Sequence, residues 1–321
     1  MPKQYKALDI AKFIMAFFII AIHADPVNSE VMRCIYTVAV PFFFSVSSFL
    51  FFRCQNSFLK YTRRIGLLYL IWLFIEAGVV YSRFFQNAPF GMGMLKFLHA
   101  LVLTNTFWES WYLVASIEAM GLCVWLSRWM NNIVLFFLGI LLYIPPLLYS
   151  AYYGNIPADG QVFLSKLYTM LPITNCFIIA FIFIVIGKII AEERRTLSLW
   201  EGIIFISIAM FLWLVEINYQ IPHLHAHKAF IMLPLIVALL LIILKDRRFN
   251  SIPLGEVTCK LMRNSSTLIY LSHPLFISLI ARLTNLRNTP ISYVLVAFCS
   301  CVFAIMVVRA SKYWRFLRML Y

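Results

Sequence analysis

Asp9-Ile10-Ala11-Lys12-Phe13-Ile14-Met15-Ala16-Phe17-Phe18-Ile19-Ile20-Ala21-Ile22-His23 is an apolar run whose ionisable side chains lie only near its two ends. Lys12 and His23 are eleven positions apart. At about 100° per residue that spacing brings both onto one helical face, about 16 Å apart along the axis. A lysine inside a hydrocarbon-spanning stretch costs several kcal/mol unless it faces protein, water or an anionic partner. The histidine at the other end is the one side chain that ordinarily exchanges its proton near physiological pH. Asp9 lies one turn before Lys12 on the same face, where an i,i+3 pair would hold the ammonium charged. Asp25, just past His23, either orients the imidazole or opens the following loop.

The rest of the chain has the same character. Its 321 residues are 63% hydrophobic and only 12% charged, with a mean hydropathy of +0.86, far from the balance of a soluble domain. Apolar stretches long enough to cross a bilayer core recur from end to end. They predict helices near 7–24, 34–52, 64–83, 109–129, 132–149, 172–191, 200–217, 228–244, 264–281 and 290–309. The expected fold is an all-α integral membrane protein of about ten transmembrane helices, one domain over 1–321. The stretch Met94 to Leu103 is too short to span and reads as re-entrant or interfacial.

Lysine and arginine collect in alternate loops: Lys3 and Lys6, Arg53 to Arg64, Arg128, Lys188 to Arg195, Lys245 to Arg263, and Arg309 to Arg318. Under the positive-inside rule both termini are cytoplasmic and His23 sits near the outer end of the first helix. The net charge of +14 is mostly this bias, dispersed in short loops, and excludes the contiguous basic surface that nucleic-acid binding requires. The N-terminus resembles a cleavable signal, but Lys12 interrupts its apolar core and Ile22 is wrong for a cut at Ala24, so an uncleaved first span is expected. The seven cysteines carry no CxxC and read as small core or lipid-facing residues. His223, His225 and His227 alternate after Pro222, but without a nearby cysteine or carboxylate they read as loop polarity, and no metal site is expected.

Other stretches carry polar groups at membrane depth. Val40 to Phe49 combines Pro41 with Ser45, Ser47 and Ser48, a packing feature in which small residues allow close approach and re-satisfy backbone groups. Arg63 and Arg64 open the third helix, as topology anchors or as forks for a ligand's phosphates. Trp111 and Tyr112 lie toward the outer surface, in an aromatic belt or against a sugar ring, and Glu118 in the same helix should face the bundle interior. Ser266, Tyr270 and His273 follow one another at spacings of four and three on one face of a late helix.

In this order and at these depths, the segments resemble the membrane-bound acyltransferase-3 family, which O-acetylates bacterial surface glycans and related molecules. The resemblance rests on Asp9, Lys12 and His23; on Val40 to Phe49; on Arg64-Ile65-Gly66; and on Ser266, Tyr270 and His273. The chain departs from the family pattern where Lys12 replaces the usual arginine, where Ser47-Ser48 replaces Ser-Gly, and where Glu109-Ser110-Trp111 replaces His-Leu-Trp.

The resemblance implies acyl transfer from cytoplasmic acyl-CoA, usually acetyl-CoA, to a hydroxyl of a glycan or its lipid-linked precursor, in a bacterial inner membrane. The acyl-CoA is a co-substrate and no bound cofactor is implied. Lys12, Arg63 and Arg64 would hold the nucleotide. His23 would be catalytic, as general base or acyl carrier. Asp9, Asp25, Trp111, Tyr112, Glu118, Ser266, Tyr270 and His273 would support it or meet the acceptor. Two alternatives stay open on the sequence: a glycan exporter, and a non-catalytic membrane partner with the same fold.

Overall fold

The computed structural model describes residues 5–27, 29–107, 110–193, 199–218, 229–245 and 252–321. These form helices joined by short turns, with no strand among the described residues. In chain order they are α1 (Lys6–Ala24), α2 (Glu30–Thr37), α3 (Ala39–Arg53), α4 (Phe58–Ile75), α5 (Ala77–Phe84), α6 (Phe90–Leu103) and α7 (Trp111–Leu126). There follow α8 (Asn132–Ser150), α9 (Ala158–Met170), α10 (Phe177–Glu192), α11 (Leu199–Asn218), α12 (Met232–Lys245), α13 (Glu256–Thr284) and α14 (Pro290–Ala310). The expected His223, His225, His227 loop and Glu109 fall outside the described residues.

Six helical stretches are long and apolar enough to cross a membrane, or seven if α4 and α5 together make one span. Three more apolar helices, including α6 and α7, are shorter. Ten spans are therefore not reached by length and composition among the described residues. One expected span is corrected: the stretch 64–83 is not a straight rod, because α4 and α5 meet at an angle of 75°. The turn falls at Glu76, whose φ −90°, ψ 15° leaves the helical path, and Gly78 just beyond it weakens continuation of the helix.

The chain divides into two compact units, residues 1–43 with 194–321 and residues 44–193, the boundary falling inside α3. In the first, α13 packs against α1 and α14, and α11 packs against α12. α1 starts with Asp9 in its first turn, where the helix dipole favours an anion, and ends at Asp25 in the left-handed conformation (φ 35°). Pro26 bars its continuation. The step from α2 to α3 at Val38 lies just upstream of Pro41, whose ring disfavours a regular helix one turn earlier.

In the second unit α10 packs against α7 and α8, and α4 against α7. The serines of α3 act here as the sequence suggested. Ser48 Oγ donates to the Ile184 carbonyl at 2.5 Å. Beside it α3 and α10 approach so closely that a Cβ on Gly187 would collide with the Ser45 carbonyl oxygen and lie 2.8 Å from Ser48 Cβ. Lys188, counted from the sequence among the loop cations, is instead 6% exposed within α10. Asn132 Oδ1 at 2.6 Å and Glu192 Oε2 at 2.9 Å accept from its ammonium, which sits 5.4 Å over the Phe52 ring. A buried lysine at a helix end is tolerable only with such partners.

Gly187→Val is expected to lower stability by about 1–3 kcal/mol through overpacking. Ser48→Ala should cost about 1 kcal/mol or less, as one interhelical hydrogen bond in lipid does. Thermal midpoints of the purified protein in one detergent, compared with wild type, check both the order and the sign.

Candidate functional site

The Lys12–His23 face of α1 continues through Ala16 and Ile19, which are 0% and 2% exposed, whereas Ile14 on another face is 48% exposed. The stripe therefore faces protein. What it meets is α13. Asp9, 4% exposed, receives two bonds from Arg263: Nε donates to Oδ1 and Nη2 to Oδ2, each at 2.7 Å. At the other end the His23 ring is stacked on His273, with centroids 5.3 Å apart and planes 24° apart.

The two contacts occur in the same order along both helices, so α1 and α13 run parallel. Asp9 to His23 spans about 21 Å of rise and Arg263 to His273 about 15 Å, a mismatch the long arginine side chain absorbs. The sequence offered Lys12 as the partner of Asp9 and overlooked Arg263, grouping it with loop charges. The signal was present, since Arg263 precedes Ser266 by three residues and extends the Ser266–Tyr270–His273 stripe by one turn.

His273 is fully buried, and the ring of Tyr270 lies 6.1 Å from it and 6.5 Å from Phe43. His273 Nδ1 is 2.6 Å from the Tyr270 carbonyl oxygen. Its Nε2 is buried and has no hydrogen-bond partner among the described residues. Ser266, 3% exposed, donates to the Arg263 carbonyl at 2.8 Å, so its hydroxyl proton serves the local backbone. Asp25 accepts from Arg33 Nε at 3.2 Å and Nη2 at 2.7 Å, a bidentate pair that ties the end of α1 to α2. This unit thus brings Asp9, Lys12, His23, Ser266, Tyr270 and His273 onto two facing helices.

The remaining sequence candidates belong to the other unit. The Tyr112 ring packs against Phe44 with centroids 4.5 Å apart and planes tilted by 40°, and its hydroxyl lies 3.3 Å from Ser47 Oγ. Trp111, 5% exposed, packs 5.9 Å from the same Phe44 ring. It is therefore an interior residue rather than part of a surface belt. Ser110 Oγ accepts from the backbone N–H of Thr106 and Phe107, which fixes the turn leading into α7. Glu118 Oε2 is buried on α7 with no hydrogen-bond partner among the described residues, as an interior-facing carboxylate should be placed. Arg63 and Arg64 are exposed on the first turns of α4.

Two helices joined at a partly buried ion pair and at a stacked imidazole pair make up the candidate site. The chain belongs to the acyltransferase-3 family: the acyltransferase domain that defines it matches residues 5–310. Two amino-acid racemases of Enterococcus faecalis are similar. One is 29% identical over 209 aligned positions, covering 60% of this chain and 29% of the relative. The other is 25% identical over 346, covering 97% of this chain and 47% of the relative. The chain thus spans less than half the length of the curated relatives it matches. No solved structure matches it significantly.

Arg263→Gln would strand the Asp9 carboxylate in the interior. Because the Arg263 side chain is 43% exposed, the expected loss is about 1–3 kcal/mol, below that of a fully buried pair. The double variant Asp9→Asn/Arg263→Gln should recover part of it, since no charge is then left uncompensated. Thermal midpoints of wild type, Asp9→Asn, Arg263→Gln and the double variant give the coupling directly.

Proposed function

We propose that this chain is an acyl-CoA-dependent O-acyltransferase acting on a hydroxyl of a bacterial surface glycan or its lipid-linked precursor. The observation that carries the reading is the His23–His273 stack at one shared end of α1 and α13, on a face turned to protein. Neutral His23 takes the proton of the acceptor hydroxyl as its oxygen attacks the thioester carbonyl carbon. The carbon–sulfur bond breaks, the coenzyme A thiolate leaves, and the proton on His23 passes to it. The acyl ester stays on the acceptor and the imidazole returns to its starting form. A covalent acyl-His23, trapped without acceptor, would replace that first proton abstraction by acyl transfer to nitrogen.

The phosphates of the donor need cations. Lys12 on α1, and Arg63 and Arg64 on α4, are assigned this role one by one, from their charge and from the cytoplasmic side that the loop charges give them. Tyr270, Trp111 and Tyr112 are assigned to the acceptor side. The acetyl donor and the inner-membrane location follow the family's habit. The racemase name of the two relatives is not carried over. The chain covers less than half the length of either relative, so their printed activity belongs to proteins much longer than the part it matches.

The direct test is mass spectrometry of surface glycans from cells with and without the gene, with release of free thiol from acetyl-CoA by the purified protein as its counterpart. Loss of one acetyl increment, together with thiol release that depends on added acceptor, is the expected result. Unchanged glycans and no thiol release would overturn the reading. His23→Ala should lower transfer by about 10²–10⁴ without altering the thermal midpoint. Arg63→Gln/Arg64→Gln should raise KM for acyl-CoA and spare kcat, the pattern of lost ground-state binding.

A further inference from the structure

The sequence Tyr270-Leu271-Ser272-His273-Pro274 lies inside the continuous helix α13. Proline has no N–H, so the carbonyl four residues earlier, that of Tyr270, loses its regular helical donor. His273 Nδ1 sits 2.6 Å from this same oxygen. A carbonyl oxygen only accepts, so the short contact to Tyr270 requires that Nδ1 carry a hydrogen. In the neutral ring Nε2 then carries no hydrogen and keeps its lone pair. That nitrogen is buried and has no hydrogen-bond partner among the described residues, and the ring lies against His23.

We infer that Pro274 fixes the tautomer of His273, freeing the Tyr270 carbonyl to hold Nδ1–H and so presenting Nε2 as a hydrogen-bond acceptor beside His23. His273 and Pro274 are positioning residues. The imidazole cannot rotate about its long axis without breaking its bond to Tyr270, so it offers His23 a rigid flat face. Its Nε2 recognises a hydroxyl donor, either a hydroxyl of the acceptor or a water standing in for it. The same constraint excludes His273 from donating through Nε2 while it is neutral, which leaves proton removal to His23. The functional half of this inference rests on the transferase reading; the tautomer does not.

The test uses the full chain, labelled with ¹⁵N-histidine, in lipid bilayers, with the His273 signals identified by their absence in His273→Phe. Wild type should show a protonated Nδ1 and a bare Nε2 at His273. Pro274→Ala restores an N–H that competes for the Tyr270 carbonyl, and the opposite tautomer should gain population. A wild-type His273 protonated on Nε2 overturns the inference by itself, even if the alanine variant does not fold. So does a Pro274→Ala spectrum identical to wild type. In the transfer assay Pro274→Ala should lower kcat about tenfold with KM for acetyl-CoA unchanged, because the acceptor is misaligned while donor binding is intact. Adding glycan acceptor should move the Nε2 resonance if a substrate hydroxyl is the donor and leave it in place if water is. A correct tautomer in a protein that transfers no acyl group would sink the transferase reading alone.

Discussion

A carboxylate buried in a membrane helix needs a cation at bonding distance, and Asp9 obtains one from the far end of the chain. The bidentate bond to Arg263 fixes not only charge but register. An arginine fork meets a carboxylate in one plane with two parallel bonds, which limits sliding of α13 along α1. With that end anchored, α1 meets α13 again at His23. The His23–His273 stack follows from it. The imidazoles are weakly attracting groups that a lipid-facing or shifted α1 would separate.

Much of this frame could be read from the amino acids. The three-turn spacing of Lys12 and His23 identified the face of α1 that packs inward. The Ser266–Tyr270–His273 spacing identified the matching face of α13. Small residues around Pro41 announced the close contact that Ser45 and Ser48 make with Gly187. All three are periodicity arguments, and periodicity constrains a helix face without naming its partner. The unread features need that partner. Arg263 could not be matched to Asp9 because nothing local links residues 254 apart. Lys188 looked like a loop cation because Asn132 meets it only after α8 and α10 pack, although Glu192, one turn on in the same helix, was legible as an i,i+4 partner. The bend at Glu76 was hidden because α4 and α5 together read as one apolar run.

The two units differ in what they offer chemically. The unit built from both ends of the chain holds the imidazole pair and the ion pair on parallel helices. The central unit holds aromatic and hydroxyl groups around Phe44, including Tyr112 and Ser47, and the arginines of α4. α3 runs through the boundary between them, and the sequence change from Phe42-Phe43 to the serine-rich half of that helix coincides with it.

The pairing of α1 with α13 also sets a timetable for biogenesis. At a ribosomal speed of about 5–20 residues per second, a gap of 254 residues means that Asp9 enters the bilayer some 10–50 s before Arg263 is synthesised. Until then Asp9 stands without the guanidinium that holds it in the folded protein. A helix made early is thus seated late, and the pairing of α1 with α13 waits on a segment synthesised 254 residues downstream.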